Sequence, residues 1–180
     1  MNISIEKSIE ILERTPNVLR AMLQNISDDW TSNNEGGQTW SAFDIVGHLI
    51  HGEKTDWIPR IEIILSQKSG GVFEPFDRFA QFEESRGKTL LQLLDSFEIL
   101  RKNSLEILQY QQLTTENLSQ KGIHPTLGEV SMSQLLATWV VHDLNHIAQI
   151  ARVMAKQLKH EVGPWADNLR ILEVGLKTLD

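Results

Sequence analysis

Leu135-Leu-Ala-Thr-Trp139-Val-Val-His142-Asp143-Leu-Asn-His146-Ile-Ala-Gln149-Ile150-Ala-Arg-Val153 reads as one long helix with a single loaded face. At about 100° per residue, Leu135, Trp139, His142, His146, Gln149, Ile150 and Val153 share one stripe roughly 100° wide. A helix turns a stripe of that width toward a core. Ahead of it, Ser131-Met-Ser-Gln134 has the form of a capping box, in which the side chains of the first and fourth residues satisfy each other's backbone N–H. The apolar recurrence runs to about Lys159, and Gly163-Pro164 closes it. His142 and His146, four apart, lie one above the other about 6 Å apart. That spacing lets two imidazoles reach one metal ion, and it equally suits two packed histidines or a surface pair.

Outward from this helix, the rest of the chain reads as helices with punctuation. Ser4 to Ile26 places Ile5, Ile9, Leu12, Val18, Leu19, Met22, Leu23 and Ile26 at helical spacing, with Thr15-Pro16 dividing or kinking the run. Asn33-Asn-Glu-Gly-Gly37 is a loop by composition. Ser41-Ala-Phe-Asp44 resembles a capping box and opens a second helix through His48, Glu53 and Trp57, which Pro59 kinks or ends. Ser66 to Lys88, with Gly70, Gly71, Pro75 and Gly87, reads as a long irregular connection, a kind of segment that often carries function. Thr89-Leu-Leu-Gln92 opens a third helix that fades near Gln111. Gly122 to Gly128 reads as a second loop, and Trp165 to Leu176 as a short terminal helix. No segment shows sustained strand alternation, and no repeat is visible. The prediction is an all-α four-helix bundle with long crossover connections, one domain over residues 1–180.

Composition narrows the function. With 17 Lys and Arg against 24 Asp and Glu the net charge is −7, without a basic block, which argues against direct nucleic-acid binding. The stretch around Leu135 to Val141 is interrupted by Thr138 and followed by His142 and Asp143, far short of the about 20 apolar residues of a membrane span. Met1 to Glu10 lacks the apolar core of a signal peptide, so the expected location is cytoplasmic. There is no cysteine, which removes disulfides, thiolate metal sites and any thiol nucleophile supplied by the chain.

Four other histidines complete the set. His48 and His51 lie on the second helix about 60° apart, and His48 shares its face with Ile45, Leu49 and Gly52. That helix is apolar on more than one side, so a core histidine fits as well as a ligand. His124 in its Gly/Pro loop reads as a capping residue and His160 as a solvated one.

Trp40-Ser-Ala-Phe-Asp-Ile-Val-Gly-His48-Leu, then His51-Gly-Glu53, then Trp139-Val-Val-His142-Asp143-Leu-Asn-His146-Ile-Ala-Gln149 resembles the DinB superfamily. These are damage-inducible four-helix metal proteins that include bacillithiol- and mycothiol-dependent transferases, unrelated to the DNA polymerase of similar name. The resemblance runs from Thr15-Pro16 to Gly163-Pro-Trp165. It implies that His48, His142 and His146 are three metal ligands. Gln149, which lies on the ligand stripe, Asp143 and His51 are the candidates for supporting contacts. Asp143 either orients an imidazole from a neighbouring helix or pairs with Arg60, and Glu53 fits a structural ion pair better than a fourth ligand.

Three neutral imidazoles leave a divalent metal its full charge and open positions, and zinc, nickel, iron, manganese or cobalt all suit such a site. Water held there becomes acidic, and an incoming thiol loses its proton. The family resemblance favours a transferase that joins an external low-molecular-weight thiol to an electrophilic small molecule, with zinc or nickel foremost. The alternatives are a metal-dependent hydrolase and a non-catalytic, stress-related metal-binding bundle whose histidines staple two helices. Bundles of this kind often pair as homodimers. Trp139, one turn before His142, either walls a pocket or is plain core.

Overall fold

Each of the four arms starts at a residue whose side chain caps it: Ser4, Ser41, Thr89 and Ser131. The computed structural model describes residues 4–173, apart from the side chains of Lys68 and Ser69. The first arm is α1 (Ile5–Leu12) followed by α2 (Thr15–Leu23), with Pro16 in the first turn of α2 where its missing N–H is no loss. After the short α3 (Asp28–Ser32), the second arm is α4 (Ala42–Thr55) and α5 (Trp57–Ser66). Ser41 Oγ accepts from Asp44 N at 3.2 Å, and Asp44 Oδ2 accepts from Ser41 N at 2.9 Å. The expected interruption falls at Asp56 and not at Pro59, because Pro59 is tolerated in the first turn of α5.

The connection from Ser66 to Lys88 is more structured than its composition suggests, containing a 3-10 turn over Lys68–Gly71 and α6 (Ala80–Ser85). The third arm, α7 (Leu90–Tyr110), opens on the Thr89/Gln92 box, and α8 (Thr115–Ser119) follows. The loop expected at Gly122 to Gly128 is an antiparallel hairpin of β1 (Lys121–His124) and β2 (Gly128–Ser131), with Ile123 opposite Glu129. Val72 bridges to Ile123, and Phe73 N donates to Ile123 O at 2.9 Å, so the long connection is tied to this hairpin. Four-residue strands with one buried side chain in β1 are too short to print a period of two. The fourth arm is α9 (Met132–Gln157), opened by the Ser131/Gln134 box. In place of the terminal helix expected from Trp165 there is a 3-10 turn over Gly163–Asn168 and then α10 (Arg170–Glu173); the portion from residue 174 lies outside the described residues. Among the described residues no helix is long and apolar enough to cross a membrane.

The bundle core is divided in two. One apolar cluster gathers Leu12, Trp57, Ile61, Leu105, Leu136 and Trp139; the other gathers Leu19, Ile45, Leu49, Leu94, Phe97 and Ile150. Between the two, every arm places polar residues: Thr15, then Glu53 and Asp56, then Arg101, then Asp143 and His146, all buried. The order in which each arm visits the clusters fixes its direction. The first and fourth arms run from the first cluster to the second; the second and third run the other way. The second and third arms are therefore parallel, and the chain must return the length of the bundle between them. That return is the Ser66 to Lys88 segment.

Candidate metal centre

His48 comes from the middle of α4, and His142 and His146 come from successive turns of α9. His48 is pressed inward because α4 is buried on nearly all sides, between α6, α7 and α9. The three rings meet through one nitrogen each. His48 Nε2 is 3.0 Å from His142 Nε2, which is 3.1 Å from His146 Nε2. Gln149, one turn along α9, puts Oε1 2.8 Å from His146 Nδ1, so that ring carries its proton on Nδ1 and presents a bare Nε2 to the cluster.

Electrostatics keeps the rings uncharged. Burial first, then the neighbouring His146, His51 and Arg78, push His48 down to about 3. Burial and the other two rings hold His142 well below the usual imidazole range. Burial also lowers His146, opposed by the Gln149 hydrogen bond and the Asp143 charge. Three uncharged rings whose facing nitrogens lie within 4.8 Å of one another form a donor set that His48, His142 and His146 alone make among the described residues. A divalent cation satisfies such a donor set. With metal–nitrogen distances of about 2.0–2.1 Å, tetrahedral ligands stand about 3.3 Å apart, close to the spacing seen.

Aromatic rings enclose the cluster. The Trp40 ring lies 4.8 Å from His48, Phe76 meets His48 edge-on at 5.4 Å, and Trp57 meets His142 at 5.1 Å. The sequence of this cluster and its helices matches the profile of the DinB superfamily over residues 11–150. The chain belongs to the DinB superfamily. No curated protein matches it. Among solved structures this DinB-superfamily chain is similar to YfiT from Bacillus subtilis, with a TM-score of 0.71 and 23% identity over 89% of this chain and 90% of that one. YfiT is described as a probable metal-dependent hydrolase with an unusual four-helix bundle topology.

The supporting residues read from the sequence divide three ways. Gln149 touches a cluster histidine, His146. Asp143 does not pair with Arg60; it leaves α9 about 100° round from His142 and points into the core, where Arg101 Nη2 donates to Oδ1 at 3.0 Å and Thr15 Oγ1 donates to Oδ2 at 2.6 Å. Arg60 instead faces Asp56, at 2.7 Å, because both leave the same side of α5 one turn apart. His51 stands outside the three-histidine group, with Nδ1 2.8 Å from Glu84 Oε1. His124 caps its turn, accepting from Thr126 N and Leu127 N, and His160 is exposed.

Glu53 is in the ion pair the sequence favoured, 2.7 Å from Arg101, and also accepts from Trp139 Nε1 at 3.2 Å. Trp139 is plain core, and stacks on Trp57 at 5.5 Å. Burial raises the Glu53 carboxyl above its usual range, with Arg101 opposing. Three participants escaped the sequence reading. Arg101 sits at helical spacing between Phe97 and Leu105, a cation on an apolar stripe, and that signal was available. Phe76 and Glu84 gave none, since both reach α4 only through the fold of the long connection.

Proposed function

We propose that His48, His142 and His146 hold a divalent cation, zinc or nickel foremost, and that the chain is a metal-dependent enzyme acting on an electrophilic small molecule. The observation that carries this reading is the convergence of three Nε2 atoms, at 3.0 and 3.1 Å. Bound there, a divalent cation supplies Lewis acidity and lowers the pKa of a water or thiol brought to it. This chain's own residues do the rest: Gln149 fixes one imidazole, and Trp40, Phe76 and Trp57 wall the rings.

The nucleophile comes from outside. The chain has no cysteine, and the side chains against the three rings are aromatic or, for Gln149, an amide. We favour a low-molecular-weight thiol transferred to the electrophile, with iron, manganese or cobalt as other occupants of an all-imidazole site. Water in the same position would make the protein a hydrolase, the reading supported by the description of YfiT. The test is a panel of small thiols against a chlorodinitrobenzene-type electrophile with metal-loaded protein, alongside an ester without thiol. Thiol-dependent conjugation that disappears in His146→Ala is the expected result. Thiol-independent ester turnover would move the assignment to hydrolysis, and protein that retains no divalent metal would remove both.

A further inference from the structure

His51 is buried, lies one turn from His48, and has no part in the cluster. Three residues on along α4 place it about 60° round and about 4.5 Å further up the helix. Its Nδ1 faces Glu84 Oε1 at 2.8 Å, and Glu84 Oε2 in turn faces Lys54 Nζ at 2.6 Å. A carboxylate on Nδ1 fixes the tautomer: Nδ1–H donates to Glu84, and Nε2 is left bare with no hydrogen bond among the described residues. Phe76 joins this pair to the candidate metal centre, with its ring 5.0 Å from that of His51 and 5.4 Å from that of His48. The two imidazoles therefore pack against one and the same ring, which sets His51 beside the candidate metal centre.

We propose that His51 is the proton acceptor for the external nucleophile, with Glu84 as its positioning residue, an assignment that rests on the metal-enzyme reading above. In thiol transfer the S–H bond breaks, its electron pair stays on sulfur, and the proton passes to His51 Nε2. The C–S bond forms as the bond to the leaving group breaks, and the leaving group departs with that pair. The imidazolium returns its proton to the leaving group, or to solvent when the leaving group is a halide. The Glu84 carboxylate stabilises the transient positive charge, the role a carboxylate plays behind any histidine base. With water as nucleophile the same step breaks O–H.

The bland alternative is that His51 and Glu84 merely tie α6 to α4. That tie is already made by Gly47, where an added Cβ would meet Ser85 Oγ at 2.5 Å and Gln81 Oε1 at 2.7 Å. The titratable and charged groups around His51 are Glu84 on α6, Lys54 and the uncharged His48 on its own helix, and Asp56 at the helix end. Glu84 is the one hydrogen-bonded to it.

The test counts protons in zinc-loaded protein. Titration with 2-mercaptoethanol at pH 7, in buffers of different ionisation enthalpy, reads how many protons reach the buffer on thiol uptake. In the wild type the proton stays on His51, so the count is well under one. His51→Gln binds zinc as the wild type does and releases about one proton per thiol, because the thiol still binds as thiolate. Glu84→Gln keeps the hydrogen bond, loses the charge, and moves the count toward that of His51→Gln. Equal counts in wild type and His51→Gln overturn the proposal, as does thiol that fails to bind zinc-loaded protein. A drop of about 10–100-fold in zinc affinity in His51→Gln marks a residue that supports the ligands, and overturns it as well. Failure of the wild type to bind zinc is a different result, and sinks the metal reading beneath.

Discussion

Among the described residues Gln149 is the one side chain outside the cluster that holds a cluster histidine by hydrogen bond, since the Nδ1 atoms of His48 and His142 are buried without a partner. Removing a contact that fixes a ligand's tautomer costs about 10–100-fold in metal affinity. Gln149→Leu is expected to weaken zinc binding within that range while leaving unfolding by urea nearly unchanged; wild-type affinity would show that packing alone orients His146. The low value at His48 gives a second prediction. In the metal-free protein its folded-state value is about 3, against 6.5 for the unperturbed group. The unfolded chain therefore takes up a proton between pH 6.5 and about 3 that the folded chain refuses. The stabilisation is complete above pH 6.5 and is lost as pH falls, by about 1.4 kcal/mol per unit for one such group. His48→Gln removes that share of the slope. Urea unfolding at pH 7.5, 6.5 and 5.5 checks it, and parallel slopes in the two proteins would contradict it.

At the scale of elements, what the sequence displays is what is local. The boxes at Ser41, Thr89 and Ser131 join residues three apart, and the structure contains each of them. The stripe carrying His142, His146 and Gln149 depends on one helix alone. The hairpin at Lys121–Ser131 and α6 were hidden because each is short and held by distant partners: Phe73 lies across Gly122, and α6 packs on α4 at Gly47. Gly47 sits mid-helix, where glycine costs about 1 kcal/mol relative to alanine. Its sequence neighbours give no reason for it; the approach of α6 does. In Gly47→Ala the new methyl meets Ser85 and Gln81, the latter fully buried. Overpacking of this kind costs about 1–3 kcal/mol, more than the helix propensity gained. The expected result is a net loss in the unfolding free energy of Gly47→Ala together with a displaced His51–Glu84 contact, read from the Nδ1 proton in NMR. A gain in stability would mean that α6 yields freely.

Across the whole molecule, the polar layer between the two apolar clusters explains why the candidate site lies at mid-bundle. Arg101, 1% exposed, reaches Glu53 on α4, Asp143 on α9 and the carbonyl of Leu12 at the end of α1. One guanidinium thus fixes the level of all four arms, including the two that hold the histidines. The arm directions, the parallel second and third arms and the partners of Arg101 were not legible in the sequence, because each is a relation between residues 40 to 130 positions apart. Burial works against the Arg101 charge, yet Glu53 and Asp143 hold it above its ordinary value. Without it, two carboxylates would face each other in the core. Breaking a buried pair by removing one partner costs about 3–5 kcal/mol, whereas replacing the whole group by uncharged residues is often near neutral. Arg101→Met is therefore expected to lose stability in that range. Arg101→Met combined with Glu53→Gln and Asp143→Asn recovers part of it, a coupling of about 0.5–3 kcal/mol. Zinc affinity separates two roles for the layer. If charge pairing were its whole contribution, the triple variant would bind zinc as the wild type does. If Arg101 sets the level of α4 against α9, the triple variant regains stability without regaining affinity, and that second pattern is the expected one.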